Sequence, residues 1–317
     1  MEVLLWLIGY RPYSNDDYKV RSSPDYPYIA DNELGIRLNE GVYTITLNDA
    51  VQFKATHQNN GERKVPGYGL NDGPEVLFLG CSYTYGYGVN DNESFPALIQ
   101  ENHSDWNIRN AAVVGYGTTQ HLIQLRERIK KNPPECVILA LSSVHLIRTV
   151  LSQRYRSNLK IGFKRSSAKV DNRMKGARFP YMNRCGKIAY QNWETMYSEI
   201  PGRYWLATAN FLQIQSDNSQ DAKCNPVEIT SCIINEMAQL CDEKNVAFGV
   251  ICLDTDHKTA KIEQKVKSVP WKNVGFSFKS KKYTHLPHDS HPNRKGHDKI
   301  ASTVDPFIQS LLNDAKN

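Results

Sequence analysis

The sequence predicts an α/β fold built on a doubly wound parallel sheet, and three observations lead there. From Glu75 onward, short apolar runs alternate with helical patterns, the order that parallel strands with crossover helices require. The runs Val76–Leu79, Cys136–Leu141 and Val246–Leu253 are apolar almost throughout instead of alternating, as in strands covered on both faces. Between the last two lies Pro226–Leu240, where Ile229, Cys232, Ile233, Glu236 and Leu240 fall at three-four spacing, with Asn225 as cap and Pro226 at the first helical position.

Residues 1–71 differ from the rest of the chain and predict an N-terminal β-rich extension packed on a main domain over 72–317. Val3–Ile8 (VLLWLI) is far below the ~20 apolar residues of a membrane span and lacks the basic start of a signal peptide. It reads as an apolar plug or as the stump of an anchor, the plug being the simpler. Tyr10–Tyr28, rich in Tyr, Pro, Ser and Asp, predicts an irregular surface segment. Val42–Leu47 and Val51–Lys54 read as short strands by their β-branched and aromatic content. GYGLND at 67–72 is echoed by GYGVND at 86–91, one echo and no repeat architecture.

In the main domain, Glu75–Leu79 predicts the first buried strand, ended by Gly80. Ser94–Glu101 predicts a helix with Pro96 in its first turn, Trp106–Val114 a second strand, Gln120–Lys130 a helix with a basic end, and Cys136–Leu141 a third strand. Val246–Leu253 is the next strand. Ile300, Val304, Phe307, Ile308 and Leu311 line one face of a closing helix, expected to bend or restart at Pro306. A long insert occupies about 148–221. Its first part, Arg148–Lys187, carries twelve Lys or Arg and one acid, Asp171. It reads either as a solvated loop region or as a cap that draws an anionic substrate.

At 317 residues, 40% hydrophobic and 23% charged, the chain can bury a large core. A net charge of +6 is mild for this length, and no motif supports nucleic-acid binding. Seven scattered cysteines show no CxxC pair or zinc spacing, so mostly buried, reduced thiols are expected; these, with no clear signal peptide, favour the cytoplasm but leave the compartment open.

Ser82 follows the first buried strand, where open α/β sheets place their ligands, and is the candidate nucleophile. A serine hydroxyl needs a histidine to take its proton and a carboxylate to orient that histidine. Asp289 and His291 supply such a pair, because Pro292 forces His291 into extended geometry and residues two apart then share a side. Rival motifs fit less well. Thr84 stands where the Gly-x-Ser-x-Gly elbow has its second glycine, and Gly86-Tyr87-Gly88 continues into neither a dinucleotide fingerprint nor a P-loop. Cys81 is the stronger nucleophile by type, but adjacent residues leaving a strand face different ways.

These residues resemble the SGNH (GDSL-like) hydrolase superfamily over about Glu75 to Leu312. FLGCSYTYGYGV is similar to its first block, with Ser82 at the nucleophile. NAAVVGYGTTQ (110–120) is similar to the second, which puts Gly115 as an oxyanion donor. DSHPNRKGHDKIA (289–301) resembles the last block as found in the alginate O-acetylation branch, and Asp31–Pro66 resembles the β-rich lead-in of some members. Two positions depart from the pattern. Cys81 replaces the first-block Asp, and Val144 replaces the Asn that donates a side-chain hydrogen bond to the oxyanion. Ser143 or His145 could stand in for that Asn; His145 and Arg148 could instead bind an anionic part of the substrate, with Cys81 as a further contact.

The resemblance implies a three-layer α/β/α sandwich with a flavodoxin-like parallel sheet, and acyl-ester chemistry. Ser82, His291 and Asp289 would act, with the Ser82 and Gly115 amides holding the oxyanion and no metal or organic cofactor needed. The expected partner is a small-molecule or glycan ester, with water as acceptor in an esterase and a sugar hydroxyl in an O-acyltransferase. A non-catalytic binding or assembly protein on the same fold is the reading from another class.

Overall fold

A computed structural model describes residues 1–14, 18–166, 172–184 and 186–314. The central sheet has five parallel strands: β6 (Glu75–Leu79), β7 (Asn107–Asn110), β8 (Cys136–Leu141), β11 (Ala247–Cys252) and β12 (Trp271–Asn273), in the order β7-β6-β8-β11-β12. Counted along the chain this is 2-1-3-4-5, the flavodoxin-like order. The expected α/β/α sandwich is therefore the observed one.

The three inner strands β6, β8 and β11 are apolar almost throughout because each face has its own cover, whereas the edge strands β7 (NIRN) and β12 (WKN) are mostly polar. Leu77, Leu79, Val137, Leu139 and Leu141 point to one side, under helices α4 (Thr118–Lys131) and α8 (Pro226–Asp242). Their neighbours Val76, Phe78, Ile138 and Ala140 point to the other, under α3 (Phe95–Asn102) and α10 (Arg294–Asp314). This is the period-two alternation of a strand, with both phases buried.

A third core joins the chain's start to the insert. β1 (Val20–Ser23), β4 (Gly41–Leu47) and β5 (Val51–His57) form one antiparallel sheet, and β2 (Tyr28–Asp31) pairs with β3 (Gly35–Leu38). Their Leu38, Ile45 and Phe53 pack in one cluster with Tyr155, Phe179 and Trp193 of the insert. The insert is not a loop: it holds α6 (Gln153–Ser166), the hairpin β9 (Arg178–Met182) and β10 (Ile188–Asn192), and α7 (Ala207–Asp221). Its Asp171 lies outside the described residues. Polar ties add to this core: Glu62 is buried between Arg109 and Arg128, and the Arg63 backbone bridges β5 to the end of β7.

Four expectations change. The apolar segment at the N-terminus is no plug: α1 (Glu2–Leu7) buries only Leu5, because its one packed side rests on α7 while Val3, Leu4, Leu7 and Ile8 face outward. The segment between Tyr10 and Tyr28 is less irregular than expected, since β1 lies within it. On α8, Ile229, Ile233, Ile234, Met237 and Cys241 are buried and Cys232 is exposed, a face rotated from the expected one that leaves Glu236 free to pair with Arg126. The closing helix runs unbroken through Pro306, held on both sides of it by the buried Ile300, Val304, Ile308 and Leu311. Of the described cysteines, Cys81, Cys136, Cys241 and Cys252 are buried and all six are free thiols. Among the described residues no helix is long and apolar enough to cross a membrane.

Candidate functional site

β6 delivers Ser82 to the point where the strand order reverses, between β6 and its two neighbours β7 and β8. Loops at such a point diverge and open a crevice. After Leu79 the chain turns at once into the short helix α2 (Ser82–Tyr85), with Cys81 as its cap. Gly80 permits this turn, since a Cβ there would lie 2.2 Å from the Thr84 hydroxyl oxygen. Gly86 ends α2 in the left-handed region, at φ 87°. Ser82 is 3% exposed.

The second half of the site comes from the loop before α10. Its ends are pinned by a bridge between Thr284 and Pro292 and by the His285 amide donating to the His291 carbonyl. The extended geometry expected from Pro292 turns Asp289 and His291 to the same side: Asp289 Oδ1 accepts from the His291 amide and from Nδ1, each at 2.7 Å. With its proton on Nδ1, the ring presents Nε2 as an acceptor. Nε2 lies 2.9 Å from Ser82 Oγ. Three side chains from opposite ends of the chain thus form one hydrogen-bonded series.

Tyrosines enclose that series. Tyr83 stands 5.2 Å and Tyr87 5.0 Å from the His291 ring, and Tyr83 stacks on Phe278. Tyr18 donates its hydroxyl to Asp289 Oδ2, and Asn48 donates to the His288 carbonyl at 2.7 Å. Burial raises the Tyr18, Tyr83 and Tyr87 hydroxyl pKa values well above the usual tyrosine range, so these groups stay protonated donors. Burial alone would also raise the Asp289 carboxyl; hydrogen bonds from His291 and Tyr18 outweigh it and hold the group below its ordinary value.

The other expected residues divide into three groups. Gly115, at φ 88°, has its carbonyl held by the Tyr155 hydroxyl at 2.5 Å. Its amide and that of Ser82 have no acceptor among the described residues. Arg148 donates to the Tyr116 carbonyl at 3.3 Å and lies near the buried Cys81. Ser143 is committed elsewhere: its amide and hydroxyl both donate to Asp254, at 2.8 and 2.5 Å. That proton is spent, which corrects the expectation that Ser143 supplies an oxyanion bond. His145 is corrected too. It is fully buried, packs edge-on against His121 at 5.2 Å between ring centres, and is kept neutral by burial, so its ring is closed off from solvent and from the Ser82 crevice surface.

Sequence reasoning missed Tyr18, Asn48 and Asp254. Asp254 had a usable signal, a carboxylate just past the carboxyl end of a buried strand. Tyr18 and Asn48 had none, because they reach the site across 271 and 240 positions. Among the described residues no three or more His, Cys, Asp or Glu side chains gather as a metal ion would need.

No family sequence model matches the chain, and no curated protein matches it in sequence. Solved structures do resemble it. The psychrotrophic esterase EstA from a Pseudoalteromonas species is 13% identical, with a TM-score of 0.43 over 76% of this chain and 99% of its own. A GDSL-like lipase from Bacteroides thetaiotaomicron is 13% identical, with a TM-score of 0.38 over 75% of this chain and 88% of its own. A member of the lipolytic G-D-S-L family from Veillonella parvula is 11% identical, with a TM-score of 0.39 over 75% and 99%.

Proposed function

We propose that the protein is a serine-dependent esterase of the SGNH (GDSL-like) kind, acting on acyl esters, with short-chain and acetyl esters foremost. One observation carries the reading: Ser82 Oγ stands 2.9 Å from His291 Nε2, while Asp289 holds Nδ1 of the same ring at 2.7 Å. Ser82 attacks the ester carbonyl as His291 takes its proton, and the Ser82 and Gly115 amides receive the oxyanion. His291 then returns the proton to the departing alcohol. Water, activated by the same imidazole, releases the acid and restores Ser82. Asp289 keeps the ring in the tautomer that leaves Nε2 free and stabilises the imidazolium as it forms.

The test is covalent labelling and turnover together. Wild type should react with a fluorophosphonate probe and hydrolyse p-nitrophenyl acetate, and Ser82→Ala should do neither. Absence of labelling and turnover in wild type would favour a binding or assembly protein on this fold instead.

The last block, DSHPNRKGHDKIA, supplies the ground for a second reading, since it resembles the form found in the alginate O-acetylation branch. A sugar hydroxyl in place of water would make the same groups an O-acyltransferase. Offering p-nitrophenyl acetate with and without sugar acceptors separates the two: ester release that ignores the acceptor and forms no sugar ester rules out transfer to those sugars.

A further inference from the structure

Val144 stands where the resemblance calls for a side-chain oxyanion donor, and neither Ser143 nor His145 is free to replace it. One turn further on, at the i+4 position of α5 (Val144–Thr149), is Arg148. Its stem lies against Gly117, where an added Cβ would come within 2.7 Å of the Arg148 Cβ. Its Nη1 donates to the Tyr116 carbonyl at 3.3 Å, and the guanidinium lies near Cys81. Tyr155, 5.7 Å from that guanidinium, holds the Gly115 carbonyl. The Arg148 side chain therefore spans from the turn carrying the Gly115 amide to the turn carrying the Ser82 amide.

Its charge has no counterpart there. Among the described residues no carboxylate pairs with Arg148, and its five N–H donors have the Tyr116 carbonyl as their one hydrogen-bond acceptor there. Burial opposes the charge, but a guanidinium does not give up its proton in a protein, and the group stays a cation. Arg148 is only part-buried, so water can solvate its charge until an anion displaces that water.

We propose that Arg148 is the charged donor to the oxyanion formed when Ser82 attacks, standing in for the neutral amide that Val144 lacks. The inference rests on the esterase reading above. As the Oγ–carbon bond forms, the carbonyl π pair moves onto oxygen and the hydroxyl proton goes to His291 Nε2. The new negative charge meets two backbone amides and the guanidinium. When the pair returns, the bond to the alcohol oxygen breaks and that oxygen takes the proton from His291. A ground-state carbonyl carries only partial charge, so the interaction acts on kcat far more than on KM. A carboxylate on the substrate is the other anion Arg148 could meet. The contact with Cys81, the residue bonded to Ser82, favours the reacting oxygen.

The experiment compares wild type, Arg148→Met and Arg148→Lys on neutral p-nitrophenyl acetate and on p-nitrophenyl hemisuccinate, together with the rate of fluorophosphonate labelling. For Arg148→Met, kcat should fall about 10²–10³-fold on both esters with KM within about twofold, and labelling should slow in parallel. Arg148→Lys should recover part of the loss. It also serves alone if the Met variant does not fold, since it keeps the stem and the charge. A kcat unchanged in the folded variants, or a loss confined to the KM of the hemisuccinate, overturns the proposal while leaving the esterase intact. A wild type that neither turns over nor labels overturns the esterase reading and this inference with it.

Discussion

The Tyr18 hydroxyl donates to Oδ2 of Asp289, joining the N-terminal segment to the loop that carries His291. The carboxylate is thereby held at both oxygens, since Oδ1 takes the amide and the ring of His291. A carboxylate fixed at two points cannot rotate away from the ring it orients.

Tyr18→Phe should therefore lower kcat on p-nitrophenyl acetate about tenfold, as befits the loss of one hydrogen bond to a charged group worth roughly 1.5–3 kcal/mol. Stability should change with it. The Asp289 carboxyl, held below its ordinary value of 3.8, contributes stability that is present above that pH and is lost as pH falls through the lowered value. Without Tyr18 the carboxyl rises and the loss begins at a higher pH. Urea midpoints between pH 3 and 5 measure the shift, and an unchanged kcat in a folded variant would refute the positioning role.

Arg63 is the second link from the extension to the site. Fully buried, it donates to Asp91 at 3.0 Å and to the carbonyls of Tyr85, Gly86 and Val89, each at 2.6 Å. These carbonyls follow directly on the helix that begins at Ser82, so the guanidinium satisfies groups the helix end leaves open. Arg63→Met strips that end and leaves Asp91 without its cation, held only by the Thr56 amide, at an expected cost of about 3–5 kcal/mol in urea unfolding. A cost below about 1 kcal/mol would mean that water replaces the guanidinium.

Ser143→Ala tests the correction made at the site. With its hydroxyl proton on Asp254, the serine braces the loop after β8 against the loop after β11. Its removal should cost about 1–2 kcal/mol of stability and leave kcat within about threefold. A hundredfold loss of kcat with full stability would return Ser143 to the oxyanion.

The range of each interaction decides whether the sequence disclosed it or hid it. Cys136–Leu141 declares its own limits because both faces are covered and every side chain is apolar. The Asn225 cap and Pro226 mark the start of α8 by local chemistry. Pro292 sets the local geometry that pairs Asp289 with His291, two residues apart. The face of α8 was harder, since two overlapping sets of positions satisfy the same spacing and only the partner helix decides between them. Phe179 and Trp193 were hidden in the insert by the charges around them, and the partners they pack against are in the N-terminal strands. Tyr18 was illegible for the same reason: no local pattern records a contact made only after the chain has folded.

Buried histidines set the acid limit of the fold. Burial pushes His57 down to about 4 and His145 and His297 to about 3, with His121 well below the ordinary 6.5. In the unfolded chain these four take up protons as pH falls below 6.5, while in the folded chain burial keeps them neutral well below that pH. The unfolded state then binds more protons, so stability rises with pH through this window and levels off above about 7. Each histidine contributes a slope of up to about 1.4 kcal/mol per pH unit. Urea unfolding at pH 4.5, 5.5, 6.5 and 7.5 should trace the decline. His297, whose Nδ1 accepts from the Phe95 amide at 3.1 Å, is the one to remove: His297→Gln should flatten the slope by about a quarter. Stability that stays level from pH 7.5 to 4.5 would mean that these rings take up protons without unfolding.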